Sequence, residues 1–93
     1  MPQKYPTVDD IDNLDSLSLR ILQEMAKEPT TALTFGYLGK ELGVDWKEVR
    51  KLVKNMSDNG YVEHSGFGAG CGSREAYNIS AHLLQEPFVG KLL

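Results

Sequence analysis

The sequence predicts an α+β domain in which three helices are followed by an antiparallel hairpin of strands. Two segments near the middle of the chain, 35–42 and 46–58, have apolar residues at helical spacing and are separated by three residues. Beyond them, 61–64 and 74–79 alternate apolar and polar residues as strands do, on either side of a glycine-rich stretch. The length of 93 residues suits one small domain with a single core.

The N-terminal part of the chain is polar, acidic and twice interrupted by proline. This composition predicts either disorder or an acidic arm that packs on a partner subunit or screens non-specific DNA. The first helix is expected at 15–27, with Asp15 or Ser16 as its cap, and it ends before Pro29 because proline disfavours helical geometry in the preceding residue. The predicted divisions of the chain are 1–14 for the arm, 15–80 for the folded domain, and 81–93 for a short helix with an apolar tail.

The short connection between the two central helices has the residues of a tight turn. Thr34 is a suitable N-cap for the helix 35–42, and Gly43 can adopt the positive φ that ends a helix sharply. Asp45 can accept from the first N–H groups of the helix 46–58. Gly39 is small, as is required where two crossing helices approach closely. The sequence therefore predicts two helices in direct contact around this turn.

These residues resemble the winged-helix family of helix-turn-helix DNA-binding domains. The resemblance covers residues 17–80 and rests on Gly39, Gly43, the apolar Val44 and the β-branched Val49 at the family's spacing, followed by an Asn-Gly-Tyr-Val step into the first strand. It implies a three-helix bundle followed by a two- to three-stranded antiparallel wing, in which 30–33 often adds a minor strand. It also implies DNA binding, although the fold serves as a protein-interaction module too.

The charge distribution favours nucleic acid. Residues 46–56 hold four basic side chains and one acidic one, a net charge of +3, in a chain whose net charge is −3, so the remaining residues carry −6. The resulting prediction is a small transcriptional regulator that binds specific double-stranded DNA, with 46–58 in the major groove and the wing, 65–74, on the backbone. The predicted DNA-binding residues are Trp46, Lys47, Arg50, Lys51, Lys54 and Arg74.

Different roles are expected within this set. Arg50 can make a bidentate contact to a guanine edge, whereas Lys51 and Lys54 are expected to contact phosphates. Trp46 can stack on a sugar or a thymine methyl group, or fold back on Leu42 or the wing. The alternative function is a protein-interaction module that binds no DNA, in which Trp46, the glycine-rich wing and the acidic flanks contact another protein.

The sequence predicts neither catalysis nor a cofactor. The carboxylates are scattered rather than paired, and Cys71 lies in the glycine-rich loop without a nearby base, which favours an incidental free thiol. With Cys71, His64 and His82 do not form a metal-binding spacing, so no metal is expected. Phe67 and backbone N–H groups of the loop can contact DNA, or the loop can be an unstructured connection.

The C-terminal segment is apolar. Ser80 can cap a short helix at 81–85, and the residues beyond Pro87 are expected either to close the core or to form a homodimer contact. The residues of this predicted contact are Phe88, Val89, Leu92 and Leu93. The chain shows no export signal and no apolar run of membrane-spanning length, so we expect a cytoplasmic protein without a membrane partner.

Overall fold

The computed structural model of the protein describes residues 5–65 and 75–92. Within these ranges the chain forms, in order, α1 (Val8–Asp12), α2 (Ser16–Lys27), β1 (Leu33–Thr34), α3 (Phe35–Leu42), α4 (Trp46–Asp58), β2 (Val62–His64), β3 (Ala76–Ile79), a 3₁₀ helix (Ala81–Leu84) and α5 (Phe88–Leu92). The predicted α+β class is confirmed. The bounds of α3 and α4 are those predicted, and α2 begins one residue later than expected.

The three strands form one antiparallel sheet in the order β1-β3-β2. Leu33 of β1 lies opposite Tyr77 of β3, and Val62 of β2 lies opposite Ile79. All four of these side chains are buried. The alternating pattern predicted this for Val62, Tyr77 and Ile79, and the family resemblance predicted it for Leu33. The minor strand is therefore present, and the sheet has one apolar face that packs on the helices.

Side-chain caps start the three longer helices. The Asp15 carboxylate accepts from the Ser18 N–H and hydroxyl, at 3.2 and 2.7 Å, at the start of α2. The Thr34 hydroxyl accepts from the Tyr37 N–H at 3.1 Å at the start of α3. These caps satisfy N–H groups that have no partner inside a helix, so each helix begins at a residue fixed by local chemistry.

The core lies where α2, α3, α4 and the sheet meet. Its fully buried members include Ile21 and Leu22 from α2, Phe35 from α3, and Val49 and Val53 from α4. Leu52 and Leu42, which were also expected to face inward, are partly buried and pack against this core. The predicted apolar stripes of α2, α3 and α4 thus converge on one cluster, which fixes the outer face of α4 toward solvent.

The N-terminal segment differs from the predicted disordered or partner-binding arm. Its described part, 5–14, forms the short helix α1, in which Thr7 and Asp10 make a reciprocal capping box. Ile11 of this helix is only 2% exposed and belongs to the core. The two apolar side chains of this five-residue helix, Val8 and Ile11, were too short a pattern to predict this packing from the sequence.

The C-terminal segment also packs on its own chain. Phe88 and Leu92 are 8% and 3% exposed, so these two side chains close the core, which was one of the two expected alternatives. Val89 is half-buried, and Leu93 lies outside the described residues. Ser80 accepts from the His82 N–H at 3.3 Å and starts the 3₁₀ helix where a short helix was expected.

The two terminal segments contact each other. The His82 ring lies between Tyr5 and Phe88, with ring centroids 4.9 and 4.8 Å away, and its Nε2 is 3.1 Å from the Pro6 carbonyl oxygen. An ion pair joins Lys91 and Asp12 at 2.9 Å. We call the packing of residues 5–14 against 80–92 the terminal contact.

Candidate nucleic-acid interface

The turn between α3 and α4 is tight. Gly43 has a φ of 72°, the left-handed conformation predicted for the end of α3, and the Val44 N–H donates to the Gly39 carbonyl at 2.9 Å. A Cβ placed on Gly39 would lie 2.8 Å from the Val44 carbonyl oxygen and 3.1 Å from the Trp46 nitrogen. Asp45 then caps α4 by accepting from the Lys47 N–H at 3.0 Å. The first turn of α4 is therefore held rigidly against α3.

Beyond this turn, α4 presents a basic face to solvent. Lys47, Arg50 and Lys51 are exposed, whereas Val49 and Val53 on the opposite face are buried. Glu48 is exposed near the basic residues and reduces their local positive charge. The basic groups come from neighbouring turns of one helix, so they form a stripe along its outer face.

Trp46 lies at the boundary between the core and the solvent. Its side chain is partly buried and packs against the core cluster, which agrees with the alternative in which it folds back on the domain. The Arg50 guanidinium carbon lies 5.8 Å from the centre of the Trp46 ring, at the distance of a cation–π contact. Arg50 therefore lies beside an aromatic ring that packs against the core.

Lys54 lies in a different environment from the other basic residues. Its Nζ is 3.3 Å from Oε2 of Glu75, a residue only 8% exposed. The same carboxylate oxygen accepts from the Tyr77 hydroxyl at 3.3 Å and lies 3.7 Å from Nε2 of His64. Burial, and next the Glu75 charge, raise the pKa of the Tyr77 phenol. Lys54 therefore forms an ion pair with a nearly buried carboxylate.

Glu75 is the residue of this region that sequence reasoning missed. It stands between Arg74 and Ala76 with no spacing that links it to Lys54 on α4. Only the tertiary packing of α4 beside the start of β3 brings the two together. A charged residue within a predicted strand next to the core was the one available signal, since such residues are buried only when paired.

The predicted wing falls mostly outside the described residues. Arg74, the predicted DNA contact at its base, lies there together with Phe67 and Cys71. The flanking backbone is described: the Ser65 N–H donates to the Ala76 carbonyl at 3.0 Å. This bond continues the pairing of β2 with β3 toward the glycine-rich stretch.

Within residues 5–65 and 75–92, no three His, Cys, Asp or Glu side chains stand close enough to hold a metal ion. In the same part of the chain, no helix combines the length and the apolar character needed to cross a membrane. Cys71 lies outside these ranges, in the glycine-rich stretch.

Comparison with known proteins adds no family. No protein-family model matches the chain, and neither the curated proteins nor the solved structures contain a match.

Proposed function

We propose that the protein is a winged-helix regulator of transcription that binds specific sites on double-stranded DNA, with α4 in the major groove. The observation that carries this proposal is the exposed stripe of Lys47, Arg50 and Lys51 on a helix whose opposite face is buried. A major groove admits one α-helix, and guanidinium and ammonium groups are the usual partners of guanine edges and phosphates. The stripe has both the charge and the shape for this role.

The roles within the stripe follow from its surroundings. Arg50 lies beside the Trp46 ring, which limits the orientations of its guanidinium and favours bidentate contact with a guanine. Lys47 and Lys51 are exposed and suit phosphate contacts. Arg74 and the wing, 65–74, are proposed to contact the backbone beside the same groove.

The contrast in charge supports this orientation on DNA. Residues 46–56 have a net charge of +3 while the rest of the chain has −6, so the protein has one attractive side for a polyanion. DNA approaching any other side would meet mainly acidic surface. The proposed complex is therefore one with few alternative binding modes and a strong dependence on salt.

The test measures the binding of the full chain to a random-sequence duplex by fluorescence anisotropy, at a series of salt concentrations. We compare the wild type with a variant carrying Lys47→Ala, Arg50→Ala and Lys51→Ala. The variant is expected to bind weakly, and the slope of log affinity against log salt should fall by about two units, because Lys47 and Lys51 are the two proposed phosphate contacts and each lost contact removes about one.

The matched control removes two lysines and one arginine from elsewhere, as Arg20→Ala, Lys27→Ala and Lys91→Ala, and should keep the wild-type slope. Equal loss in both triple variants would show a general charge effect and reject the α4 interface. Absence of wild-type binding at low salt would reject DNA binding and leave the protein-interaction module as the alternative. Selection from a random library then tests base reading, since Arg50→Ala should relax specificity.

Lys54→Ala sharpens the same experiment. Because Lys54 is paired with Glu75 at 3.3 Å, its loss should change the salt slope by less than the loss of Lys51. Equal effects of the two substitutions would show that the Glu75 pair opens when DNA binds.

A further inference from the structure

The carboxylate that pairs with Lys54 lies beside the proposed DNA interface rather than within it. Glu75 immediately precedes β3, and its side chain is only 11% exposed, whereas the Lys54 side chain is 51% exposed. Its Oε2 lies 3.3 Å from Lys54 Nζ and accepts from the Tyr77 hydroxyl at 3.3 Å. One ammonium group of α4 is therefore neutralised from below the surface.

The core holds Glu75 in place. Its carbonyl oxygen accepts from the Phe35 N–H at 3.3 Å, at the start of α3. Tyr77, which donates to its carboxylate, is 5% exposed and stacks on the fully buried Phe35 ring, with the two centroids 5.6 Å apart. Both the backbone and the side chain of Glu75 are thus fixed, so the ion pair can separate only if Lys54 moves.

Lys54 has the position of a further member of the basic stripe. It follows Lys47 by seven residues and Lys51 by three, and this spacing places all three on one side of α4. An unpaired Lys54 would therefore add a phosphate contact to those proposed for Lys47 and Lys51. Such a contact increases the affinity for every DNA sequence alike, because phosphates carry no sequence information.

The burial of Glu75 decides between the carboxylate and a phosphate as the partner of Lys54. The carboxylate has lost most of its water, and His64 Nε2 is farther from its Oε2 than Lys54 is, at 3.7 Å. Removing Lys54 would leave a nearly buried charge poorly compensated, which is strongly unfavourable. A phosphate at the protein surface is hydrated and screened by salt, so it gains less from the same ammonium group.

We propose that Glu75 lowers the affinity of the protein for non-specific DNA by holding Lys54 away from the phosphates. Glu75 is a positioning residue, which acts through Lys54 and does not contact DNA. The base contact proposed for Arg50 is retained, while one sequence-independent contact is withheld, so the protein occupies fewer of the competing sites on a genome. This inference rests on the proposed function, because it describes how the affinity of that same interface is set.

The experiment compares the wild type with Glu75→Gln, using anisotropy on a random-sequence duplex at a series of salt concentrations. Glutamine keeps the shape and an oxygen that can accept from the Tyr77 hydroxyl, but it lacks the charge. The variant should bind more tightly at low salt, and the slope of log affinity against log salt should steepen by about one unit. A purely structural role of Glu75 would not steepen this slope.

Two further variants show whether the gain acts through Lys54. The double variant Glu75→Gln with Lys54→Ala should have the slope of Lys54→Ala alone, because no ammonium group is left to be released. Glu63→Gln is the matched control, since it removes an exposed carboxylate from β2 of the same sheet, and it should keep the wild-type slope.

The outcomes separate this inference from the proposed function. Absence of wild-type binding at low salt rejects both. Salt-dependent wild-type binding with no steeper slope in Glu75→Gln overturns this inference alone, as does a gain that survives Lys54→Ala or that Glu63→Gln reproduces. Lys54→Ala by itself leaves Glu75 unchanged and should lower the slope by less than about half a unit. A loss as large as that of Lys51→Ala would show that Lys54 contacts phosphate despite Glu75, and would also overturn the inference.

Discussion

The α3–α4 turn and the terminal contact hold the same domain together by different means. The turn is local: Gly39, Gly43 and Asp45 lie within seven residues, and backbone groups approach to 2.9 Å. The terminal contact joins residues more than seventy positions apart, through the His82 ring, the Lys91–Asp12 ion pair and the buried Leu92. One region depends on backbone conformation, and the other depends on the burial of apolar side chains.

This difference bears on the proposed DNA interface. The stripe on α4 begins at the local turn, whose geometry depends on residues a few positions apart. A perturbation of the terminal contact should therefore lower the stability of the domain before it alters the start of α4.

The largest expected effect lies in the terminal contact, at Leu92. This side chain is 3% exposed, so Leu92→Ala should lower the free energy of unfolding by about 2–3 kcal/mol through lost burial and a residual cavity. Urea unfolding followed by circular dichroism measures the change. The control Leu84→Ala truncates a side chain that is 37% exposed and should cost less than about 1 kcal/mol.

The dimer hypothesis makes a different prediction for the same experiment. If Leu92 were buried between two subunits, the wild-type unfolding midpoint would rise with protein concentration. A midpoint that is independent of concentration, together with a large cost for Leu92→Ala, is the result expected of a side chain buried in its own core. Equal costs for Leu92→Ala and Leu84→Ala would contradict the closed terminal contact.

A smaller effect is expected at the turn. The Cβ of Gly39→Ala would meet backbone atoms of Val44 and Trp46, which cannot rotate away, so α3 and α4 must separate slightly. Strain of this kind costs about 1–3 kcal/mol and exceeds the gain in helix propensity of about 1 kcal/mol, so a net loss of about 1–2 kcal/mol is expected.

Gly90→Ala is the control for the Gly39 substitution. Gly90 also lies in a helix, but its Cβ would come no closer than 3.6 Å, to a side-chain oxygen of Glu86. The free energy of unfolding should therefore stay unchanged or rise by up to about 1 kcal/mol. The comparison fails if the two glycines respond with the same sign.

The local features of the fold could be predicted from the sequence, and the long-range ones could not. Caps at Asp15, Thr34 and Asp45, the turn at Gly43, and the bounds of α3 and α4 depend on residues a few positions apart. The apolar periods also located the core stripes. Within the candidate interface, the same periodicity placed Lys47, Arg50 and Lys51 on the outer face of α4.

The missed features depend on contacts between distant residues. Nothing near Glu75 in the sequence indicates that it pairs with Lys54, and nothing in the first 14 residues specifies packing against His82. A polar segment with a few apolar side chains can be a disordered arm or a helix packed on the domain. Which of the two forms depends on whether the rest of the fold offers an apolar surface for these side chains to bury. Whether that surface exists is a property of the whole fold.

The smallest effect on stability is predicted for Asp15, whose carboxylate caps α2 and carries a charge. The pKa of Asp15 is lowered mainly because its carboxylate accepts a hydrogen bond from the Ser18 hydroxyl. A lowered folded-state pKa means that the stabilisation is present above the unfolded pKa, about 3.9, and is lost as pH falls through the folded one. Asp15→Ala should therefore lower the free energy of unfolding by about 1 kcal/mol at pH 7, with a smaller difference below about pH 4.

Asp15→Asn separates the cap from its charge. Asparagine retains an oxygen that can accept from the Ser18 N–H but cannot titrate, so this variant should keep most of the stability at pH 7 and lose the pH-dependent part. Unfolding by urea at several pH values measures both quantities. If Asp15→Asn matched Asp15→Ala at every pH, the charge rather than the cap would stabilise α2, and the start of this helix would be an electrostatic feature instead of a local hydrogen-bonded one.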